Sequence, residues 1–283
     1  RKDEIGDKPE DIRPGTVMVG AAYAIDSSYF QEIGAYDESM KVWGGENLEL
    51  SWRVSLCGGR LIHVPCSHIG HVERPQGYSF PGGRMSIQMH NYKRAIELWM
   101  EPEHRVFVYE NYPQMKDLDV GDLSERFEIK KRLQCKPFSH FLANQWPHIL
   151  VYNQNVYAWG SARNLHTNKC LDNNRFLFDG PVTLFAEICH YKLAEQGFSW
   201  LKNKQLRTSL QCVVVQNLFA GERPLLEDCI TGSADTWEHQ RDGYLKHEKS
   251  GLCLDLDPSG PIIRSCRQDS ITQLWQFNHY LID

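Results

Sequence analysis

The clearest hydrophobic pattern in the chain lies in Val42–Arg74, VWGGENLELSWRVSLCGGRLIHVPCSHIGHVER. Leu48, Trp52 and Leu56 recur on one face of a helix, and Leu50 and Val54 fall on the opposite face. A helix that is apolar on two sides is buried. Gly44-Gly45 supplies the turn that starts this helix at Glu46 and Asn47, and Cys57-Gly58-Gly59 supplies the glycines that stop it. A short β-branched strand over Arg60–Pro65 follows, then a loop carrying Cys66, His68 and His71. Upstream, Arg1–Gly15 reads as a polar loop. Thr16–Ile25 reads as a buried strand or strand-loop, and Asp26–Gly34 as a capped short helix with Tyr29, Phe30 and Ile33 on one face.

Downstream, Glu73–Arg84 is dense in proline and glycine and is expected to be a mobile loop. Helical character returns over His90–Met100. Phe107, Val108 and Tyr109 suit either a strand remnant or an aromatic contact. Asp119–Phe138 carries a helix rich in arginine and lysine that ends in Cys135-Lys136-Pro137-Phe138. A domain boundary is expected between about Gln145 and Asn155, which gives domains 1–147 and 148–283. From Tyr157 the texture changes to short strands and turns with an internal repeat. Cys170-Leu171-Asp172, Cys212-Val213-Val214 and Cys253-Leu254-Asp255 open three units at a period of roughly forty residues. Each unit holds a second cysteine, Cys189, Cys229 or Cys266, and two units close on Gln-x-aromatic, Gln196-Gly197-Phe198 and Gln273-Leu274-Trp275. Three units are too few to close a propeller, and the cysteine spacing is much wider than a zinc motif, which favours disulfides.

Composition narrows the class. The chain has 283 residues, enough for two cores, with 41% hydrophobic and 24% charged residues, as in an ordinary globular protein. A net charge of −5 gives no reason to expect nucleic acid or an anionic membrane as partner. No apolar run approaches the length of a membrane helix. Nine cysteines, six of them paired by the repeat, point to the secretory pathway, and the odd count leaves one thiol over.

The run WGGEN-L-E, then CGG, then PCS-x-x-GH-V resembles the second half of the catalytic domain of the UDP-GalNAc:polypeptide N-acetylgalactosaminyltransferases, which start mucin-type O-glycosylation. The repeat resembles the ricin-B-type β-trefoil carried at the C-terminus of the same family. The implied fold class is α/β, the C-terminal part of a GT-A glycosyltransferase domain, followed by an all-β trefoil lectin. The resemblance implies a retaining enzyme that transfers GalNAc from UDP-GalNAc to Ser or Thr of a polypeptide or glycopeptide, with Mn²⁺ as cofactor. The expected setting is the Golgi lumen, in a type II membrane protein whose anchor lies outside this chain. The nucleotide-binding half, with its Asp-x-His, lies upstream of the matched stretch in that family. The chain is therefore expected to be a fragment, inactive alone. The alternative is a catalytically inactive member that binds carbohydrate or glycoprotein.

By the same resemblance His71 is a metal ligand, Glu46 and Asn47 face the donor sugar and acceptor, and Trp43 covers the site. An imidazole beside oxygen donors suits Mn²⁺. Arg74 and Tyr78 match the loop that closes over the diphosphate, and Gly20 and Ala21 the place where backbone approaches the sugar. Two features depart from the family. Glu73 replaces an aromatic and Pro75-Gln76-Gly77 a longer basic run; Ala21 replaces a glycine. The family pairing maps Cys57 to Cys135 and leaves Cys66 unpaired, while the repeat gives Cys170–Cys189, Cys212–Cys229 and Cys253–Cys266. In the trefoil, Asp172 and His190 of the first unit and Asp255 of the third are the candidate carbohydrate ligands, for a GalNAc-type glycan. Glu187 and Glu195 depart from the pattern in the first unit, Arg264 and Thr272 in the third, and Val214 replaces the Asp of the second.

Overall fold

The structure is a computed structural model that describes residues 8, 10–20, 22–72, 77–145, 147, 149–175, 181–229 and 234–281. The chain divides into two compact units, Arg1–Pro147 and His148–Asp283.

Among its described residues the first unit is mainly helical: α1 Ser27–Glu32, α2 Glu46–Leu56, α3 Arg84–Trp99, α4 Pro102–Asn111, α5 Ser124–Arg132 and α6 Phe138–Gln145. Among the described residues its strands form one antiparallel pair, Arg13–Pro14 with Ile62–His63. Helix α2 is the central member, and its two apolar faces serve two cores. Trp52 and Leu56 pack with Ala95, Leu98 and Trp99 of α3 and with Phe138 and Phe141 of α6. Leu50 and Val54 pack with Ile33, Met18, Tyr29 and Phe30 on the other side. Asp26 caps α1 by accepting the Tyr29 N–H at 2.9 Å.

Four elements differ from the sequence expectation, each for a local reason. The described residues of Thr16–Ile25 are irregular, and Val17 and Val19 are exposed. At Met18 the backbone is satisfied by helix side chains instead of a strand ladder: Ser51 Oγ accepts the Met18 N–H at 2.9 Å, and Asn47 Nδ2 donates to the Met18 carbonyl at 3.1 Å. Helix α3 begins at Arg84, well before His90, because Gly83 at φ +95° ends the preceding loop. Phe107–Tyr109 lies inside α4, which opens with Pro102 in its first turn. The Tyr109 hydroxyl donates to Glu97, so the aromatic-contact alternative describes it better than a strand. Helix α5 is shorter than Asp119–Phe138. Asp122 accepts the Ser124 N–H at 2.8 Å, and Gln134 at φ +52° closes the C-terminal end. Of the expected mobile loop, Glu73–Gln76 lies outside the described residues.

Three arginines are among the polar groups that fasten these helices. Arg94 of α3 forms a buried bidentate pair with Asp37, Nε–Oδ2 2.8 Å and Nη2–Oδ1 3.0 Å. Arg126 of α5 donates to the carbonyls of Gly34 and Tyr36 at 2.7 and 2.8 Å. Within α2, Arg53 pairs with Glu49 at 2.6 Å, and the other Glu49 oxygen accepts Trp99 Nε1 at 3.0 Å.

Among its described residues the second unit is all-β apart from two single turns of helix. Three hairpins repeat: Lys169–Asp172 with Phe185–Ile188, Gln211–Val214 with Leu225–Asp228, and Cys253–Asp257 with Gly260–Arg264. Each brings its cysteines together, giving Cys170–Cys189, Cys212–Cys229 and Cys253–Cys266. One residue of each repeat meets its counterparts in the core: Leu171, Val213 and Leu254, and likewise Phe198, Trp237 and Trp275. Trp237 Nε1 donates to the Val213 carbonyl at 3.1 Å, and Trp275 Nε1 to the equivalent Leu254 carbonyl at 2.9 Å. The second repeat thus closes on Asp235-Thr236-Trp237, a third copy of the motif with Asp in the glutamine position.

A buried relay ties down the last strands. Phe277 N–H donates to Tyr280 Oη at 3.0 Å, and His239 Nε2 lies 2.9 Å from that same hydroxyl. His239 Nδ1 lies 2.9 Å from the Tyr244 carbonyl, which can only accept, so Nδ1 carries the proton and Nε2 accepts from Tyr280. Burial holds the His239 pKa below its ordinary value, against the Tyr244 carbonyl and the nearby Asp242 charge, which raise it. The unfolded chain therefore takes up the proton first. The stability from this relay is complete above about pH 6.5 and falls as pH drops from there toward the lower folded value. The trefoil's melting temperature is expected to fall between pH 7.5 and pH 5.5, and His239→Gln to shrink that fall. Calorimetry at the two pH values checks this, and an unchanged difference in the variant would assign the acid sensitivity elsewhere.

Candidate functional site

The N-terminus of α2 gathers most of the residues singled out in the first unit. Gly44 and Gly45 have φ of +106° and +93°, a left-handed run that a side chain would strain. A Cβ on Gly45 would also stand 3.0 Å from the Tyr92 ring. The turn they make brings Glu46 back over it, and Glu46 Oε2 accepts the Gly44 N–H at 2.7 Å. Asn47 is fixed by its bond to the Met18 carbonyl, and Ser51, one turn on, donates to the Asn47 carbonyl at 2.5 Å. These contacts bring the 16–20 segment against the helix start. A methyl on Gly20 would lie 3.4 Å from Asn47 Cβ and 3.7 Å from Glu46 Oε1, so glycine there leaves open the space beside the second carboxylate oxygen.

Trp43 is partly exposed, with the Arg84 guanidinium 5.0 Å from its ring centre. Arg84 also lies 5.7 Å from the Phe80 ring, and Phe80 meets Tyr78 edge-on at 6.3 Å. Tyr78, Phe80, Arg84 and Trp43 therefore form a chain of aromatic and cationic contacts. Glu46, Asn47 and Gly20 come together, and Trp43 and Tyr78 belong to this neighbouring chain. Ala21 and Arg74 lie outside the described residues.

His71 is exposed, as is the free thiol of Cys66, while Cys57 pairs with Cys135. Among the described residues no three histidine, cysteine or carboxylate side chains converge in a way that could hold a metal. A manganese ion needs several oxygen or nitrogen donors. The described residues do not fit it on their own, and His71 can offer at most one imidazole.

In the trefoil the two candidate aspartates are used the same way. Asp172 Oδ2 accepts Gln196 Nε2 at 3.0 Å and Asp255 Oδ2 accepts Gln273 Nε2 at 3.2 Å. Each glutamine also donates to a main-chain carbonyl, Ile188 or Ser265, and accepts the N–H of His190 or Arg267. The surroundings differ. His190 is partly exposed, with Nε2 3.7 Å from Asp172 Oδ2, and Glu195 pairs with Arg175 at 2.9 Å. Arg264 reaches within 3.9 Å of Asp255 Oδ2, placing a cation where a sugar hydroxyl would need access. The second repeat has exchanged roles. Val214 stands in the aspartate position, and Asp235 accepts the Val215 N–H at 2.6 Å and lies 3.2 Å from the buried His247 Nε2. Burial pushes the Asp235 carboxyl up, but His247 and the Val215 N–H outweigh it and hold the group below its usual range.

Residues 158–275 match the ricin-type β-trefoil lectin domain family. Over 275 residues the chain is 38% identical to polypeptide N-acetylgalactosaminyltransferase 13 of Rattus norvegicus, covering 95% of this chain and 48% of that protein. It is 34% identical over 273 residues to polypeptide N-acetylgalactosaminyltransferase 6 of Homo sapiens, covering 92% and 43% respectively. The chain is a relative of the polypeptide N-acetylgalactosaminyltransferases. It spans about half the length of the curated relatives it matches. A crystal structure of GalNAc-T7 with UDP, GalNAc and Mn²⁺ superposes with a TM-score of 0.60 at 26% identity, over 97% of this chain and 51% of that one. A mixed, mainly helical N-terminal region followed by a ricin-type β-trefoil is thus the architecture of this transferase relative.

Sequence reasoning missed three contributors in this GalNAc-transferase relative. Ser51 holds both Met18 and Asn47, and its signal was a polar residue i+4 from Asn47 on an otherwise buried helix. Arg84, which stacks on Trp43, carries no pattern of its own. Asp235 was hidden because the second repeat is one residue shorter between Cys229 and its tryptophan than the other two.

Proposed function

We propose that this chain forms part of a polypeptide N-acetylgalactosaminyltransferase, contributing one wall of the catalytic cleft together with a lectin module. The whole protein would transfer GalNAc from UDP-GalNAc to Ser or Thr hydroxyls of a polypeptide. The observation that carries the reading is the convergence of Gly20, Glu46 and Asn47 at the start of α2, beside the Trp43–Arg84 stack. One Glu46 oxygen is held by the turn, which orients the second to accept a hydrogen bond from a sugar or acceptor hydroxyl. Asn47, fixed by Met18 and Ser51, lies beside it. Positioning of this kind is what glycosyl transfer asks of a protein. Trp43 would cover the site, and Tyr78 with Arg74 would meet the diphosphate. His71 would give one ligand to a manganese site whose other donors come from outside the described residues.

The first-unit Asp172 and His190 would take a GalNAc-type sugar. Asp255, crowded by Arg264, is the weaker site. Four disulfides suit a Golgi-lumenal setting.

The test uses the longest natural product of the gene, made in a secretory host and supplied with UDP-GalNAc, Mn²⁺ and a Ser/Thr peptide. Transfer is expected, with Glu46→Gln and His71→Ala each lowering it by roughly a hundredfold. No transfer by a folded, disulfide-intact protein would instead favour a catalytically inactive member that binds carbohydrate or glycoprotein.

A further inference from the structure

An open polar cleft of about 460 Å³ lies in the trefoil, with neither Asp172 nor Asp255 in its lining; Ser161, Arg163, Tyr191, Arg241, Gln276 and Asn278 line it. Three observations mark it as built for a ligand. Its two cations are not ion-paired: among the described residues neither Arg163 nor Arg241 has a carboxylate within ion-pair distance. Arg163 Nη2 donates to Gln276 Oε1 at 2.8 Å, while Arg241 lies 5.3 Å from the Tyr280 ring centre. The nearby acid, Asp242, is occupied by Gln276 Nε2 at 2.7 Å. Next, the Ser161 hydroxyl, on a residue only 1% exposed, has no hydrogen-bond partner. A buried unpaired hydroxyl is costly and needs an explanation. Last, the Asn278 amide is locked with its oxygen on the Ser161 N–H at 2.5 Å. Gly160, at φ +108°, makes that possible, since a Cβ there would stand 2.7 Å from Asn278 Oδ1.

We infer that this cleft is a second saccharide site of the trefoil, specific for an acidic sugar. The sugar's carboxylate or sulfate would be taken by Arg163 and Arg241, and its hydroxyls by Ser161, Asn278 and Tyr191. Arginine is the side chain suited to such oxyanions, and charge-assisted bonds to it are the strong ones. The hydroxyls and amides around the pair suit a polyhydroxylated ligand. That the occupant is a sugar rests on the lectin reading; that it is anionic rests on the two arginines.

The experiment titrates the full chain by NMR or calorimetry with 3′-sialyllactose and GalNAc 6-sulfate, beside neutral lactose and GalNAc. At least one anionic sugar is expected to bind roughly tenfold more tightly than its neutral counterpart, the preferred one identifying carboxylate or sulfate. Arg241→Gln, at an exposed position, should abolish that preference. Added salt should weaken it. Equal binding of charged and neutral sugars overturns the inference while the lectin reading stands. So does a preference that survives both Arg241→Gln and Arg163→Gln. An Asp/Glu-rich peptide that binds as tightly as the acidic sugars overturns the saccharide assignment. Failure of all four sugars overturns both readings.

Discussion

Replacing Asp37 with Ala is expected to destabilise the first unit by about 3–5 kcal/mol, the cost of stranding a buried charge whose partner is removed. Asp37 is 6% exposed and faces two cations, Arg94 bidentately and Arg126 at 3.9 Å. Neither arginine can leave. Arg94 Nη1 is held on the Val120 carbonyl at 2.5 Å, and Arg126 on the carbonyls of Gly34 and Tyr36. With the carboxylate gone, both guanidinium groups stay in a low-dielectric pocket, Arg94 with the neutral Val120 carbonyl and Arg126 with two carbonyls and the exposed Glu125 at 3.7 Å. Asp37→Asn keeps the shape and one hydrogen-bond acceptor, so it should cost less than Ala but still more than a surface change. The paired change Asp37→Leu with Arg94→Leu should recover part of the loss, because replacing both members with apolar groups removes the uncompensated charge. Hydrogen exchange of the α3 and α5 amides reads this out without interference from the trefoil. Protection in Asp37→Ala equal to the parent would show that the pair contributes nothing.

That network illustrates what the sequence could and could not tell. The two apolar faces of α2 were legible because helical periodicity records burial directly, and the structure serves each face with its own core. The trefoil repeat was legible for a similar reason: aliphatic and aromatic positions recur because they meet in one core, and cysteines recur because each repeat closes its own disulfide. Asp37, Arg94 and Arg126 were not legible, since they are 32 to 89 residues apart and each looks like a surface residue alone. The Thr16–Ile25 segment misled for the converse reason. It has the composition of a strand, but Ser51 and Asn47 take its backbone bonds, and a side chain that competes for backbone groups leaves no periodic trace. At the candidate site, Gly44-Gly45 announced the turn and placed Glu46, because glycine at positive φ is a backbone requirement written in the sequence. The stacking of Arg84 on Trp43 depends on how a loop folds back, and no local pattern encodes that.

Removing the disulfide between Cys57 and Cys135 with a double alanine variant should cost the first unit about 4 kcal/mol, since the loss grows with the loop closed. This bridge spans 78 residues, against 19, 17 and 13 for the three trefoil bridges, which on the same reasoning are each worth closer to about 3 kcal/mol. Its position reinforces the argument. Cys57 caps α2, the Lys136 N–H donates to the Leu56 carbonyl at 2.8 Å beside it, and Phe138 begins α6 two residues on. The bridge therefore fixes the end of α2 against the helix that supplies Phe138 and Phe141 to its core. Any loosening there is transmitted along α2 toward Glu46 and Asn47, which rest at its other end. Both cysteines must be changed together, because a single variant leaves a thiol able to pair with the exposed Cys66. Exchange protection should fall across α2 and α6 in the double variant while the trefoil hairpins keep theirs. If the α2 amides stay protected, the helix is held by its two apolar faces alone and the bridge acts only on the unfolded chain.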